Sequence, residues 1–382
     1  MPKKIFLMAG EPSGDLHASR LAGEIKKIAP EAELCGVGGP LMAKEGVRLF
    51  HSSDELSIVG VADVIKKFPR IKRVFRDFLM KADEERPDGI VLVDYPGFNL
   101  KMAAALKRKG FKVIYYISPQ IWAWGGWRIN KIRRYVDKIL VFFGFEKKIY
   151  EEAGIPVEFV GHPLIDSVRP AREKNEIRNH LMIDEGKRVV TLLPGSRPRE
   201  IDFLLPKLVL AANHLYKRHG KLHFVIVKSE SIEEGVFARI CGKLKVPYSI
   251  VENGKGRLYD VLSVSDIAVA ASGTVTLECA IMGVPIVIVY KVSLLNAVIM
   301  KPFMRVSSIG LVNVIAGKKI VPELVQLELT VPNICREAER LLFNEEDVLE
   351  MRRNLSAVKS ELGEKGASRR AAEAVIKTVW GV

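Results

Sequence analysis

Five short segments concentrate the residue types that handle protons, sugars and phosphates. GEPSGDLHAS (10–19) places Glu11, Ser13, Asp15 and His17 between an apolar run and a helix start. Backbone N–H groups at such a start hold anions; a tight turn with Asp15 as helix cap is the plainer alternative. In DYPGFN (94–99), Asp94 closes an apolar run just before Pro96 and Gly97. A carboxylate desolvated from below and open above has a raised pKa and suits a general base. Glu11 and His17 compete for that role, and a turn cap would explain Asp94 equally simply. ISPQIWAWGGW (117–127) carries three tryptophans, whose faces would stack on a sugar, line a lipid path or simply pack a loop.

The other two segments lie in the second half. PGSRPRE (194–200) offers Gly195 for close backbone approach to an anion, the Ser196 hydroxyl, and an Arg197 fork suited to a diphosphate. It is not a Walker A loop, because the G-K-[ST] ending is missing. ASGTVTLE (271–278) repeats the logic, with Ser272, Gly273 and Thr274 between strand and helix and Glu278 one turn further along the same helix face. A carboxylate there accepts both hydroxyls of a ribose. Taken together these features predict a nucleoside-diphosphate site. No Asp-x-Asp pair, no H-E-x-x-H and no strand-borne G-x-G-x-x-G accompanies them, and GVGGP (36–40) lacks the spacing. Neither a metal nor a nicotinamide cofactor is therefore expected.

The elements that must position these residues are legible as Val/Ile-rich runs separated by amphipathic stretches. Runs at 4–10, 33–39, 89–96, 111–118, 138–144 and 157–163 read as strands, and the pattern restarts at 188–196, 221–229, 266–274 and 284–291. Continuous apolar strands alternating with helices predict parallel sheets covered on both faces. The fold class is α/β: two doubly wound, Rossmann-like domains at 1–168 and 169–345, then a helical tail at 346–382. Ligands of such sheets bind at the strand carboxyl ends, and a paired domain predicts a ligand in the cleft between the two.

The 382 residues carry 59 Lys and Arg against 45 Asp and Glu, a net charge of +14. That balance points to an anionic partner: nucleic acid, phosphorylated metabolites or a membrane surface. No nucleic-acid motif accompanies the charge, so nucleic acid is not expected. Between Val61 and Met80, Val64, Phe68, Ile71, Phe75 and Phe78 recur at helical spacing with Lys66, Lys67, Arg70, Lys72, Arg73 and Arg76 between them. Basic, aromatic amphipathic helices favour membrane interfaces, although an ordinary surface helix shares the pattern. LLNAVIMKPFMRV (294–306) is a second such candidate. No run reaches the length of a membrane span. Cys35, Cys241, Cys279 and Cys335 form no C-x-x-C pair, which fits a reducing cytoplasm.

The chain resembles the lipid-A-disaccharide synthase family. The resemblance rests on AGEPSGDLH, DYPGFN, YYISPQIWAW, FEKKIYEEAGIPVEFVGHPLID, LLPGSRPREI, ASGTVTLECAIMGVPIVIVYK, and LVNVIAG followed by VPELVQ. It implies a GT-B fold working without a metal. It also implies transfer of 2,3-diacylglucosamine from UDP-2,3-diacylglucosamine to 2,3-diacylglucosamine 1-phosphate, giving a β-1,6-linked disaccharide 1-phosphate and UDP. The location implied is peripheral, on the cytoplasmic face of the inner membrane; a homodimer is left open. Carried over, Ser13 and Asp94 fall on the acceptor and catalytic side, with Glu11 beside them. Ser196, Arg197, Ser272, Gly273, Thr274 and Glu278 fall on the UDP side, and Asn313 and Gln326 match polar positions of that side. LVN (311–313) departs from the usual Leu-Pro-Asn. A UDP-sugar epimerase of the same fold is the alternative.

Overall fold

The central Val/Ile-rich runs form buried parallel strands. The computed structural model describes residues 3–56, 61–123, 125–254, 256–291 and 308–381, with 61–67 described by backbone alone. The chain divides into two units, residues 1–166 with 362–382, and residues 167–361.

In the first unit the strands are β1 (Lys4–Ala9), β2 (Glu33–Gly38), β3 (Arg48–Ser52), β4 (Gly89–Val93), β5 (Val113–Tyr116), β6 (Lys138–Val141) and β7 (Val157–Phe159). They lie in the order β3-β2-β1-β4-β5-β6-β7, all parallel. The order reverses between β1 and β4, which pair from Ile5↔Gly89 to Ala9↔Val93. A crevice opens at the carboxyl ends of strands at such a switch point. It is flanked here by the loops carrying Glu11 and Asp94.

The second unit repeats the plan with β8 (Arg188–Leu193), β9 (Leu222–Ser229), β10 (Tyr248–Asn253), β11 (Ile267–Ala271), β12 (Ile286–Tyr290) and β13 (Glu323–Val325), ordered β10-β9-β8-β11-β12-β13. Its switch point lies between β8 and β11, the two strands that feed PGSRPRE and ASGTVTLE.

Three strands escape the sequence pattern: β3, β10 and β13. Each is an edge strand. An edge is half exposed, so RLFHS and YSIVEN carry polar residues where a central strand carries Val and Ile, and ELV is too short to register.

The tail is not a separate element. The helix Glu345–Glu361 packs against Val275–Met282 and Leu311–Ala316 in the second unit, whereas Ala367–Trp380 packs on Pro12–Ile28 in the first. Gly89 makes room for this last helix, because a Cβ there would lie 2.5 Å from Val379 Cγ2.

Asp15 does not cap its own helix either. Buried within Pro12–Ile28, it accepts the N–H groups of Gly39 (2.8 Å), Leu41 (3.1 Å) and Met42 (3.1 Å), and so caps the helix Pro40–Lys44.

Candidate active site

Asp94 stands at the end of β4 on a strained turn. Asp94 and Tyr95 both have left-handed backbone, at φ 47° and 48°, a region that residues with a Cβ seldom occupy. Neighbouring bonds hold the turn. The Asp94 N–H donates to Tyr116 O (2.9 Å), and its carbonyl accepts Asn99 Nδ2 (2.8 Å) and the Tyr115 hydroxyl (2.6 Å). Gly10 lies under the Tyr95 ring, where a Cβ would approach within 2.5 Å. Burial pushes the Asp94 carboxyl up to about 6; the negative charge of Glu11 adds to this, and the Tyr95 N–H partly offsets it. The group is mostly ionised at neutral pH yet holds a proton far better than an ordinary aspartate.

Glu11 and Ser13 are exposed on the neighbouring loop. His17 is packed edge-on against Phe142, with ring centroids 5.2 Å apart, and its Nδ1 has no partner among the described residues. Burial, with Arg20 nearby, lowers its pKa to about 4. His162, against Phe142 and Phe143, is lowered to about 3 by burial and His17. Both imidazoles are thereby neutral at pH 7 and weaker bases than a free histidine.

In the second unit a cavity of about 320 Å³ opens at the carboxyl ends of β8 and β11. Ser196, Arg197, Ser272, Gly273, Thr274 and Glu278 all line it. Some seventy residues, including β9, β10 and three helices, separate the two segments in sequence, and the pairing of β8 with β11 brings them together. Glu278 accepts the Tyr259 hydroxyl (3.0 Å), and burial raises its pKa. Arg197 has a side chain 77% exposed, with Nη1 3.3 Å from Glu200 Oε1. Glu200 completes a capping box at the start of Pro198–His219, accepting the N–H groups of Ser196 (2.9 Å) and Arg197 (3.3 Å). The anion that Gly195 brings close is thus the protein's own carboxylate, since a Cβ on Gly195 would lie 2.3 Å from Glu200 Oε2. Sequence reasoning missed Asn253 and Ser229 in the cavity wall. Asn253 ends the unrecognised strand β10, and no local signal marks it.

Two of the residues expected on the UDP side do not line this cavity. Asn313 is buried in Leu311–Ala316 with its amide fully used. It donates to Val321 O (3.0 Å) and Glu323 Oε1 (2.7 Å), and it accepts Ile320 N (2.7 Å) and Val321 N (3.0 Å). Glu323 in turn holds Ile309 N and Gly310 N, and Ile309 O accepts the Ser272 hydroxyl. Among the described residues, Asn313 is linked to the cavity through Glu323, Ile309 and Ser272. Gln326 follows β13 with left-handed backbone (φ 53°) and does not line the cavity.

The helix Val61–Glu85 exists as expected and runs through Pro69. Its aromatic stripe is mostly core. Phe78 is fully buried, 5.8 Å from the Phe6 ring and 5.9 Å from Phe50, so it is not a membrane contact. Phe75 packs on Phe98 (5.5 Å), and Ile71 is half-buried against the same core. Phe68 is 59% exposed. The Val64 side chain and residues 294–306 lie outside the described residues. Among the described residues no helix is long and apolar enough to cross a membrane.

Two doubly wound parallel sheets in one chain are the architecture of the GT-B glycosyltransferases and epimerases. A UDP-GlcNAc 2-epimerase from Neisseria meningitidis, solved with UDP-GlcNAc, superposes with a TM-score of 0.64 at 13% identity, over 98% of this chain and 100% of that one. The glycotransferase of kitacinnamycin gives 0.64 at 15%, over 99% of each. At such identities the likeness is one of fold alone. Within that class, residues 5–379 match the lipid-A-disaccharide synthetase family, and the chain belongs to it. The lipid-A-disaccharide synthase of Geobacter sulfurreducens is 40% identical over 374 residues, covering 98% of this chain and 97% of that protein. That of Nitrosococcus oceani is 38% identical over 377 residues, covering 99% and 96%. The chain is a glycosyltransferase, and the epimerase alternative retains only the fold.

Proposed function

We propose that this glycosyltransferase moves 2,3-diacylglucosamine from UDP-2,3-diacylglucosamine to the 6-hydroxyl of 2,3-diacylglucosamine 1-phosphate, forming a β-1,6 bond and releasing UDP. The family match over residues 5–379 is the observation that carries this reading. Asp94 removes the hydroxyl proton as the new bond forms. Its carboxyl, raised to about 6, is matched to that task near neutral pH. An α-linked donor inverts to a β product in one displacement, so no covalent sugar intermediate is needed. UDP leaves with its charge met by Arg197 and the helix start at Thr274, while Glu278 holds the ribose.

Both lipids reside in a bilayer, and the proposed partner surface is the anionic cytoplasmic face of the inner membrane. Exposed Phe68 with Arg70, Lys72, Arg73 and Arg76 supports this, as does Trp127, 62% exposed beneath the Arg128 and Lys131 cations. Incubation with both lipids, followed by mass analysis, tests the reaction. A disaccharide 1-phosphate is expected, and product formed from UDP-N-acetylglucosamine alone would point to epimerisation.

A further inference from the structure

Glu146 is a buried carboxylate with no part in the chemistry above. It lies in the first turn of the helix Gly144–Glu152, which follows β6. Its Oε1 accepts the Ser118 hydroxyl (2.8 Å) and the Trp122 indole N–H (3.2 Å). Both donors belong to the loop that follows β5. The same helix grips that loop twice more: Phe145 meets the Trp122 ring edge-on at 5.4 Å, and the Tyr150 hydroxyl donates to Pro119 O at 3.4 Å. The loop starts under strain, since Ile117, a β-branched residue, has φ 67°. Such a conformation persists only where its surroundings impose it. Immediately before it, Tyr115 and Tyr116 supply the hydroxyl and carbonyl that hold the Asp94 backbone.

We propose that Glu146 is a positioning residue for the transfer reaction: by fixing Ser118 and Trp122 it locks the loop after β5, and through β5 it aims Asp94. This rests on the assignment of Asp94 as base. Burial pushes the Glu146 carboxyl up to about 7, so both protonation states occur near neutrality. The bonds do not depend on which, because a carbonyl-like Oε1 accepts both donors whether the group is charged or neutral. A glutamine offers the same oxygen.

The test compares Glu146→Leu and Glu146→Gln with the parent in disaccharide formation, with kcat and acceptor KM measured separately and UDP affinity and Tm followed alongside. Leucine keeps the volume but removes the acceptor. The expected result is a kcat lowered roughly 10- to 100-fold, as for a small misplacement of a reacting group, with UDP affinity within about twofold. Glutamine should stay within about threefold of the parent. In an Asp94→Asn background, Glu146→Leu should add no further loss, since Glu146 acts only by aiming the Asp94 carboxylate. Should Glu146→Leu fail to fold, Ser118→Ala keeps the Trp122 bond to Glu146 and should lower kcat several-fold in a protein that still unfolds cooperatively. A folded Glu146→Leu or Ser118→Ala with parental kcat, a Gln variant as damaged as Leu, or additive losses with Asp94→Asn would each overturn the proposal. A parent that makes no disaccharide would instead overturn the proposed function.

Discussion

The burial that makes Asp94 a better base also makes it a poorer residue for stability. Its folded pKa of about 6 lies above the ordinary aspartate value of about 3.8, so the folded state binds the proton more tightly. Stability therefore falls as pH rises from about 4 to about 6, by on the order of 3 kcal/mol, and stays lower above that window. Asp94→Asn is nearly isosteric. It should lower kcat by about 10²–10⁴-fold and leave UDP affinity unchanged, while raising Tm at pH 7 but not at pH 4. In the parent, kcat/KM should fall as pH drops through about 6. Retained kcat in Asp94→Asn, with loss in Glu11→Gln, would move the base to the first loop. In the second unit, Arg197→Ala and Glu278→Ala should each weaken UDP binding by about 1.5–3 kcal/mol, read by titration calorimetry. Two variants that bind like the parent would relocate the diphosphate and ribose site. These residues were legible because glycine, hydroxyl and cation after a strand form a local signature. Asn313 carried no such signal: its type says that it needs four hydrogen bonds, but not that Val321, Glu323 and Ile320 supply them.

At the scale of the element, the helix Val61–Glu85 shows what periodicity reports and what it leaves open. Ile71, Val74, Phe75, Phe78 and Ala82 form one stripe, and that stripe faces the sheet. The same spacing would serve a membrane face, so local pattern cannot separate the two. Phe78→Ser should cost about 3–5 kcal/mol as a buried aromatic is lost, seen as a lower midpoint in denaturant. Phe68→Ser should leave that midpoint in place while reducing retention on anionic vesicles. Equal midpoint losses in both would make Phe68 core as well. The edge strands β3 and β10 teach a related lesson, for their sequences carry polar residues because one side meets no neighbouring strand.

Within the first unit, the helix Ala367–Trp380 closes a face of the sheet formed hundreds of residues earlier. Ala371, Ala372 and Val375 are fully buried, Lys112 Nζ donates to Thr378 O (2.8 Å), and the Trp380 indole donates to Asp88 (3.0 Å). A chain ending at Glu361 should lose the cooperative unfolding of that unit by calorimetry, while the second unit still binds UDP. An unchanged first-unit transition would show that this helix is dispensable. Sequence alone determined the class of fold, the central strands and the family, because each is written in contiguous residues whose local pattern reflects their own burial. Tertiary structure alone decided which polar residues are consumed by the scaffold, which aromatic stripe faces the sheet, where the edges lie and which unit takes the final helix. Those outcomes depend on partners far apart in the chain, and a local pattern of apolar and polar residues is the same whichever distant surface comes to cover it.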